Sequence, residues 1–511
     1  MLAKVVSGAV FGVDAYPVEI EVNAGRGEFK IVVVGLPDAA VKESSDRVIT
    51  ALINSAFAPP MGRTTVNLAP ADIKKEGPSF DLPIALGMLA ATDSIPRERL
   101  DDFCIVGELA LSGEVRRVRG VLPIAMMARK EGCRGLMVPV DNAEEAAVVS
   151  DLPVYPVATL RQAADFLASL IQLEPYRIDL QEVFNAHHLY DDDFADVKGQ
   201  EFAKRAIEVA ISGGHNVICI GPPGTGKSML SKRVPSILPP LSLEEALETT
   251  KIHSIAGMLP AHQALVARRP FRSPHHTISD AGLLGGGSHP MPGEVSLSHH
   301  GVLFLDELPE FHRNVLEVLR QPLEDHMVTV SRAAASVTFP CKFMLVAAMN
   351  PCPCGYYGDP KRECRCTPVQ LQRYRGKISG PLLDRIDIHI EVPSVQYQQL
   401  ASLERGESSA AIRERVVRAR DIQSDRFHGN PRVRCNAQMG PKEIQKWCRL
   451  GPEAQDHLRA AITELHFSAR AYDRILKVAR TIADLEESTE IRAQHVSEAI
   501  QYRTLDRQWQ G

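Results

Sequence analysis

Gly221-Pro222-Pro223-Gly224-Thr225-Gly226-Lys227-Ser228 fills every fixed position of the pattern GxxxxGK[ST]. Glycine at these spacings lets the backbone bend sharply and turn its N–H groups onto phosphate oxygens. The run follows an apolar strand, Asn216 to Ile220, and leads into Met229-Leu230-Ser231-Lys232-Arg233. That last stretch can begin a helix, whose positive end favours an anion. Lys227 is then placed to reach the β- and γ-phosphates and Ser228 to hold Mg²⁺. The expected ligand is a nucleoside triphosphate.

Further along, the strand-like run Val302-Leu303-Phe304-Leu305 ends in Asp306-Glu307. Beside a phosphate loop, it would set Asp306 near Mg²⁺ and Glu307 near the water that attacks the γ-phosphate. Another apolar run, Phe343 to Met349, ends in Asn350, whose amide can orient that water. Directly after it come Cys352-Pro353-Cys354 and Cys364-Arg365-Cys366, four thiols in fifteen residues. Four thiolates satisfy tetrahedral Zn²⁺; reduced, unligated thiols are the alternative at so short a spacing.

Between Lys361 and Lys377 lie six basic residues (Lys361, Arg362, Arg365, Arg373, Arg375, Lys377) against one acid, Glu363. Tyr356, Tyr357 and Tyr374 are close enough in sequence to stack on bases. Arg413, Arg415, Arg418 and Arg420 form a second basic stretch on an expected helix, and Arg332 lies in a hairpin-like segment from Val328 to Val337. Each stretch is either a nucleic-acid contact or a solvated face. The histidines His275, His276, His289, His299 and His300 are irregularly spaced and lack a carboxylate pattern, so loop and core hydrogen bonding is expected of them.

These residues need elements to position them. The 511-residue chain has room for about two to four domains. Residues 1–168 alternate short strands with helices, for example Phe29 to Val34, Ala39 to Ala56 and Thr65 to Asn67, which suggests an α/β domain. Residues 169–193 read as a linker ending in Asp191-Asp192-Asp193, and 194–395 as a nucleotide-binding α/β core. From 396 to 511 helical periodicity takes over, with Ile475, Val478, Ala479, Ile482 and Leu485 on one face. A net charge of −5 excludes a uniformly basic nucleic-acid coat but not a local basic lining. No apolar run approaches the ~18 residues of a membrane span, and the first residues lack a signal peptide's pattern. The expectation is a cytoplasmic protein with no membrane partner, its ten cysteines serving as thiols or metal ligands.

The order of these motifs resembles that of AAA+ ATPases, motors that assemble into rings. In that family an arginine of one subunit reaches the γ-phosphate bound by the next. Gly380-Pro381-Leu382-Leu383-Asp384-Arg385-Ile386-Asp387 resembles that segment and nominates Arg385. Ser468-Ala469-Arg470 resembles the second sensor, an arginine that contacts nucleotide within its own subunit, although Arg474 lies one turn on. Val197-Lys198-Gly199-Gln200 resembles the segment that lines the adenine pocket, with Val197 at its head. Arg272 to Thr277, Gly285 to Gly287 and Pro292 to Leu297 resemble the magnesium-chelatase-type clade, and nearly the whole chain resembles the ComM/YifB family. The resemblance implies an AAA+ P-loop core with a helical lid, preceded by a Lon-protease-like α/β domain. It also implies ATP and Mg²⁺, a homohexamer, and single-stranded or branched DNA as partner, with branch migration during natural transformation as the activity. The rival is a motor subunit of a metal chelatase or protein-remodelling complex.

Residues 1–168 resemble the proteolytic domain of Lon at Lys75-Glu76-Gly77-Pro78-Ser79, at Gly107 to Val115 and at Leu122-Pro123-Ile124. Ser79 stands where Lon carries its nucleophile. A serine needs a base, and the lysine that Lon supplies four residues after the triplet is here Ala128. Lys130 is two residues on, rotated by roughly 200° around a helix. A non-proteolytic scaffold is expected.

Overall fold

The computed structural model describes the chain except residues 72–74, 76, 186–191, 288–289, 333–335, 361, 395–404, 431, 466 and 506–511. Glu76, Asp191, His289 and Lys361 therefore lie outside the described residues. The chain forms two compact units: residues 1–188 with 242–267, and 189–241 with 268–511.

The first unit is built on a seven-stranded mixed sheet. Across it run Lys30–Val34, Arg63–Ala69, Asp14–Ala24, Leu2–Phe11, Phe103–Ile105, Gly135–Pro139 and Val154–Val157. Leu2–Phe11 and Asp14–Ala24 are an antiparallel hairpin closed at Phe11↔Asp14, whereas the outer strands pair in parallel. Helix Asp81–Ala91 is apolar on all sides and buried along its whole length, as such a composition demands. Gly87 lets it lie against the sheet: a methyl there would come within 2.7 Å of Val22 Cγ2. Helix Ala39–Asn54 is started by Asp38, whose carboxylate accepts from Val41 N at 2.7 Å.

Residues 242–267, which in sequence fall between the phosphate loop and the strand Phe271–Arg272, pack in this first unit. Helix Leu243–Ile255 opens with a Ser242/Glu245 capping box. Ser254 Oγ donates to the buried Glu145 carboxylate, Arg117 Nη2 donates to Pro260 O at 3.2 Å, and Lys251 pairs with Asp14 at 3.1 Å.

The second unit holds a five-stranded parallel sheet in the order Phe271–Arg272, Val302–Leu305, Met344–Met349, Val217–Ile220, Ile388–Glu391. Its three central strands are buried throughout, which their unbroken apolar runs require of a parallel sheet covered on both faces. Helices Glu201–Gly213 and Lys227–Ile237 belong to this core, and a hairpin pairs Met327–Ser331 with Ser336–Pro340. The helical region comprises Ser409–Arg426, Pro441–Trp447, Pro452–Leu465, Ala469–Leu485 and Ala493–Gln501. On the Ala469–Leu485 helix, Ile475, Val478, Ala479 and Ile482 are buried and Leu485 is half-buried. Asp484 beneath them is fully buried and held by Arg426 at 2.7 Å, Arg480 at 3.0 Å and Asn436 at 2.8 Å. No helix among the described residues is long and apolar enough to cross a membrane.

Candidate functional site

Parallel strands deliver their C-terminal ends to one edge of the sheet, where ligands of open α/β folds bind. Register fixes which residues meet there: Ile220 pairs with Met349 and Leu305 with Ala347, so Gly221, Asn350 and Asp306 emerge side by side. The loop from Gly221 to Gly226 turns through positive φ at Gly224 and Gly226 (79° and 86°), and Val392 O lies where any Gly221 side chain would stand. Pro222 O accepts from Thr225 Oγ1 at 3.0 Å, which ties the turn internally. Lys227 Nζ donates to Gly221 O at 2.7 Å, Pro222 O at 2.8 Å and Asn350 Oδ1 at 3.2 Å. Burial pushes its ammonium below the ordinary pKa, with Asp306 opposing the shift. Ser228 Oγ donates to Asp306 Oδ2 at 2.6 Å; a hydroxyl and a carboxylate converging here are the hard oxygen donors that Mg²⁺ takes.

Glu307 sits in the left-handed region (φ 52°) and is largely exposed. A non-glycine residue held there is a departure that clusters at functional sites. Its carboxylate lies 3.8 Å from His276 Nδ1. The sequence pattern around His276 predicts only loop or core hydrogen bonding, whereas the fold sets it beside Glu307. The available signal was its place just past Phe271–Arg272, a strand that pairs with the acidic strand. His299 does bond within the core, accepting from Lys342 N at 3.0 Å. Arg272 and Glu294 form a two-pronged pair at 2.6 and 2.7 Å, which joins the Arg272 to Thr277 segment to Pro292 to Leu297. Val197 is buried, and Gln200 Nε2 donates to Thr225 O, so the segment expected to line the adenine pocket touches the phosphate loop.

Arg385 and Arg470 occupy the opposite edge of the same sheet. Asn216, just before the phosphate-loop strand, donates from Nδ2 to Arg385 O at 2.9 Å, and its carbonyl accepts from Asp387 N at 3.0 Å. The strand rises about 3.3 Å per residue, so Arg385 is separated from Gly221 by the strand's whole length. Its guanidinium pairs with Glu324 and donates to Pro381 O at 2.8 Å. Arg470 is well exposed, 3.9 Å from the Asp384 carboxylate. Arg474, its rival one turn on, is spent on the buried Asp387, which also meets His215 at 3.5 Å. Burial opposes that charge, but Arg474 and His215 outweigh it and hold the Asp387 carboxyl well below the usual carboxylate range.

The cysteine pairs come together: Cys352 Sγ lies 3.3 Å from Cys354 Sγ and 3.8 Å from Cys364 Sγ, and all four sulfurs fall within 4.8 Å of one another. Around them Arg362, Arg365, Arg373 and Lys377 are exposed. Tyr374 and most of the second basic stretch, expected to contact nucleic acid, are turned inward instead. Tyr374 is only 6% exposed, its hydroxyl turned to the Asn350 backbone, so it cannot stack on a base. The second basic stretch is taken up by its own fold: Arg413 donates to Ser236 O, Arg415 pairs with Glu208 and Glu407, and Arg420 donates to Ile211 O. Only Arg418 faces outward, toward Glu414 and Glu487. Arg332 is exposed at the hairpin's end.

In the first unit Ser79 is half-buried in the short turn Pro78–Phe80. Helix Val121–Lys130 buries Ala128 and exposes Lys130. Asp81, two residues after the serine, is fully buried against Arg47 at 3.0 and 3.2 Å; burial raises its carboxyl to about 6 despite that partner.

A phosphate loop after Val217–Ile220, the fourth strand across a five-stranded parallel sheet, with the acidic strand Val302–Leu305 two places away and a helical region following in the chain, defines an AAA+ ATPase. Such enzymes use ATP and Mg²⁺, and the chain matches the family models for magnesium chelatase subunit ChlI over residues 193–400, 18–142 and, for its C-terminal part, 406–503. It is 45% identical over 510 residues to Competence protein ComM of Haemophilus influenzae, covering 99% of this chain and 98% of that one. YifB of Salmonella typhimurium is 44% identical over 508 residues, with the same coverage. Lon protease 2 of Bacillus subtilis is 32% identical over 154 residues, which span 27% of this chain and 26% of the protease. The chain belongs to the ComM/YifB family of magnesium-chelatase-like AAA+ ATPases.

Proposed function

We propose that this ATPase is a cytoplasmic DNA motor, a ring of six that moves branch points in recombination intermediates such as those of natural transformation. The observation that carries the assembled state is the division of its functional groups between two edges of one sheet. Lys227, Ser228, Asp306, Glu307 and Asn350 gather at one edge, and Arg385 lies at the other, out of reach of its own phosphate loop. A ring brings the far edge of one subunit to the near edge of the next. Arg385 then completes the neighbour's site, and we assign Arg470 to the same junction rather than to its own nucleotide, because its guanidinium neighbours Asp384.

In this reading the loop amides and Lys227 bind the phosphates, and Glu307 takes the proton of the attacking water. Asn350 orients that water and Val197 borders the base. His276, beside Glu307, holds the carboxylate until the site is assembled. Mg²⁺, held by Ser228 and Asp306, would neutralise charge on the β- and γ-oxygens. Zn²⁺ is the ion we assign to Cys352, Cys354, Cys364 and Cys366. Likeness to a competence protein along the full length supports DNA as the partner, and the exposed arginines from Arg362 to Arg373 supply a surface for its phosphates.

The test is ATP hydrolysis by wild type and Glu307→Gln, with and without labelled branched DNA, strand products being followed in the same tube. Stimulation by DNA with ATP-dependent branch movement, both lost in the variant, is expected. Hydrolysis indifferent to DNA, without strand movement, would favour a chelatase-type or protein-remodelling motor.

A further inference from the structure

The cysteine cluster touches the nucleotide site on two sides. Asn350 and Cys352 are separated only by Pro351, so the end of the Met344–Met349 strand leads straight into the cluster. The Asn350 backbone is met by the buried Tyr374 hydroxyl, which lies on the helix Pro368–Arg375 that follows the second cysteine pair. The other contact is with the phosphate loop itself. Gly355 is buried at φ 86°, and a methyl placed on it would come within 2.7 Å of Pro223 Cδ. Pro223 is the third residue of the phosphate loop.

The sulfurs are spaced for a metal rather than for disulfides. Zinc at about 2.3 Å from each of four thiolates requires sulfurs about 3.8 Å apart, against the 3.3, 3.6 and 3.8 Å among Cys352, Cys354 and Cys364. A disulfide would need about 2.05 Å. Backbone amides already point at two of these sulfurs: Gly355 N and Tyr357 N donate to Cys352 at 3.2 and 3.3 Å, and Cys366 N donates to Cys364 at 3.5 Å. Such donors stabilise ligating thiolates.

Building on the ATPase and zinc reading above, we propose that the zinc knuckle braces the phosphate loop. With the four thiolates gathered on the ion, Gly355 presses on Pro223 and the end of the Asn350 strand is fixed. Without the ion, no disulfide takes its place, because all four cysteines are free thiols. The loop and Asn350 then lose their support together. Gly355 is on this account a positioning residue that acts through Pro223.

The full chain is measured for zinc content, for equilibrium binding of a fluorescent ATP analogue, and for the KM and kcat of hydrolysis. The variants are Cys364→Ser/Cys366→Ser, Gly355→Ala and Gly358→Ala. Gly358 shares the positive φ (79°) but has open space around its Cβ position, so it carries the backbone strain without the contact. One zinc per chain is expected in wild type. The double cysteine variant should lose it and bind nucleotide more weakly by about tenfold, the scale of about 1.4 kcal/mol. Gly355→Ala should keep its zinc yet bind nucleotide more weakly than Gly358→Ala, with the loss in Kd and KM rather than in kcat alone.

Zinc absent from folded wild type, or a zinc-free variant that binds nucleotide like wild type, would overturn the brace. So would equal behaviour of the two alanine variants. If the cysteine variant does not fold, the comparison of Gly355→Ala with Gly358→Ala decides. Should wild type bind nucleotide without hydrolysing it, the ATPase reading fails while the brace is still decided by Kd.

Discussion

The two edges of the five-stranded sheet are built from similar materials and do different things. At the phosphate-loop edge, polar groups are bonded to one another: Lys227 to carbonyls and Asn350, Ser228 to Asp306. A ligand with matching phosphates and metal can take over those bonds. At the other edge a buried cluster, Asp387 with Arg474 and His215, anchors the chain; Arg385 is held by Glu324 and by Pro381 O, and the exposed Arg470 lies beside Asp384. The Arg470 pair is exposed and of a kind worth little, so that arginine can leave it for a stronger anion; the Arg385 side chain is 13% exposed, and its partner Glu324 is the exposed half of the pair. On the proposed reading one edge binds the nucleotide and the other supplies cations to a neighbour. In the proposed ring the far edge of one subunit would meet the near edge of the next.

The largest expected effect tests that division. Arg385→Ala should lower hydrolysis by about 10³–10⁵-fold in the assembled protein while each chain still binds nucleotide normally. Mixing it with Glu307→Gln should restore part of the activity, because a mixed ring contains junctions with both groups intact. Absence of any recovery, with nucleotide binding lost in Arg385→Ala itself, would mean that the arginine serves its own subunit. Glu307→Gln alone should cost about 10²–10⁴-fold in kcat, with binding of the ATP analogue retained; near-normal turnover would remove Glu307 from the role proposed for it.

The anchor can be separated from the chemistry. Asp387→Asn removes the buried carboxylate that the half-buried Arg474 pairs with and should destabilise the second unit by about 1–3 kcal/mol in chemical denaturation. A carboxyl held below its unfolded value of 3.8 contributes fully above that pH and loses its contribution as the pH falls through it. The wild-type advantage over the variant should therefore be flat near neutrality and shrink below about pH 4. An advantage that grows on acidification would contradict the assignment.

Smaller effects follow outside the sheet. Arg365→Ala should reduce the slope of log K against log salt on single-stranded DNA by about 0.7, one phosphate contact. An unchanged slope would take Arg365 out of the DNA surface. Ser79→Ala should leave ATP hydrolysis and peptide cleavage indistinguishable from wild type, since no lysine follows where Lon's base would stand. Cleavage lost in the variant would show a working serine in the first unit.

Much of the catalytic edge was legible in the sequence because its motifs are local. Eight consecutive residues set the loop, and two acids at a strand's end need only the strand beside it. The four cysteines were legible as a group, with the metal left open between zinc and free thiols. His276 was not legible, since its meaning depends on Glu307 standing 3.8 Å away across a strand pairing. Charge runs misled for the converse reason: Arg413 and Arg420 read as a basic face, but the packing of Ser409–Arg426 turns them onto carbonyls of the core.

By itself the sequence determined the nucleotide loop, the strands that flank it, the helical character of the last hundred residues and the loss of Lon's lysine. Each depends on residue type and on short spacing, which the chain carries wherever it folds. Tertiary structure decided where the pieces act. It packed residues 242–267 with the first unit, buried Tyr374, set Gly355 against Pro223 and placed Arg385 and Arg470 away from their own phosphate loop. Those outcomes rest on sheet order and strand direction, which arise from pairings between distant segments that no local pattern encodes.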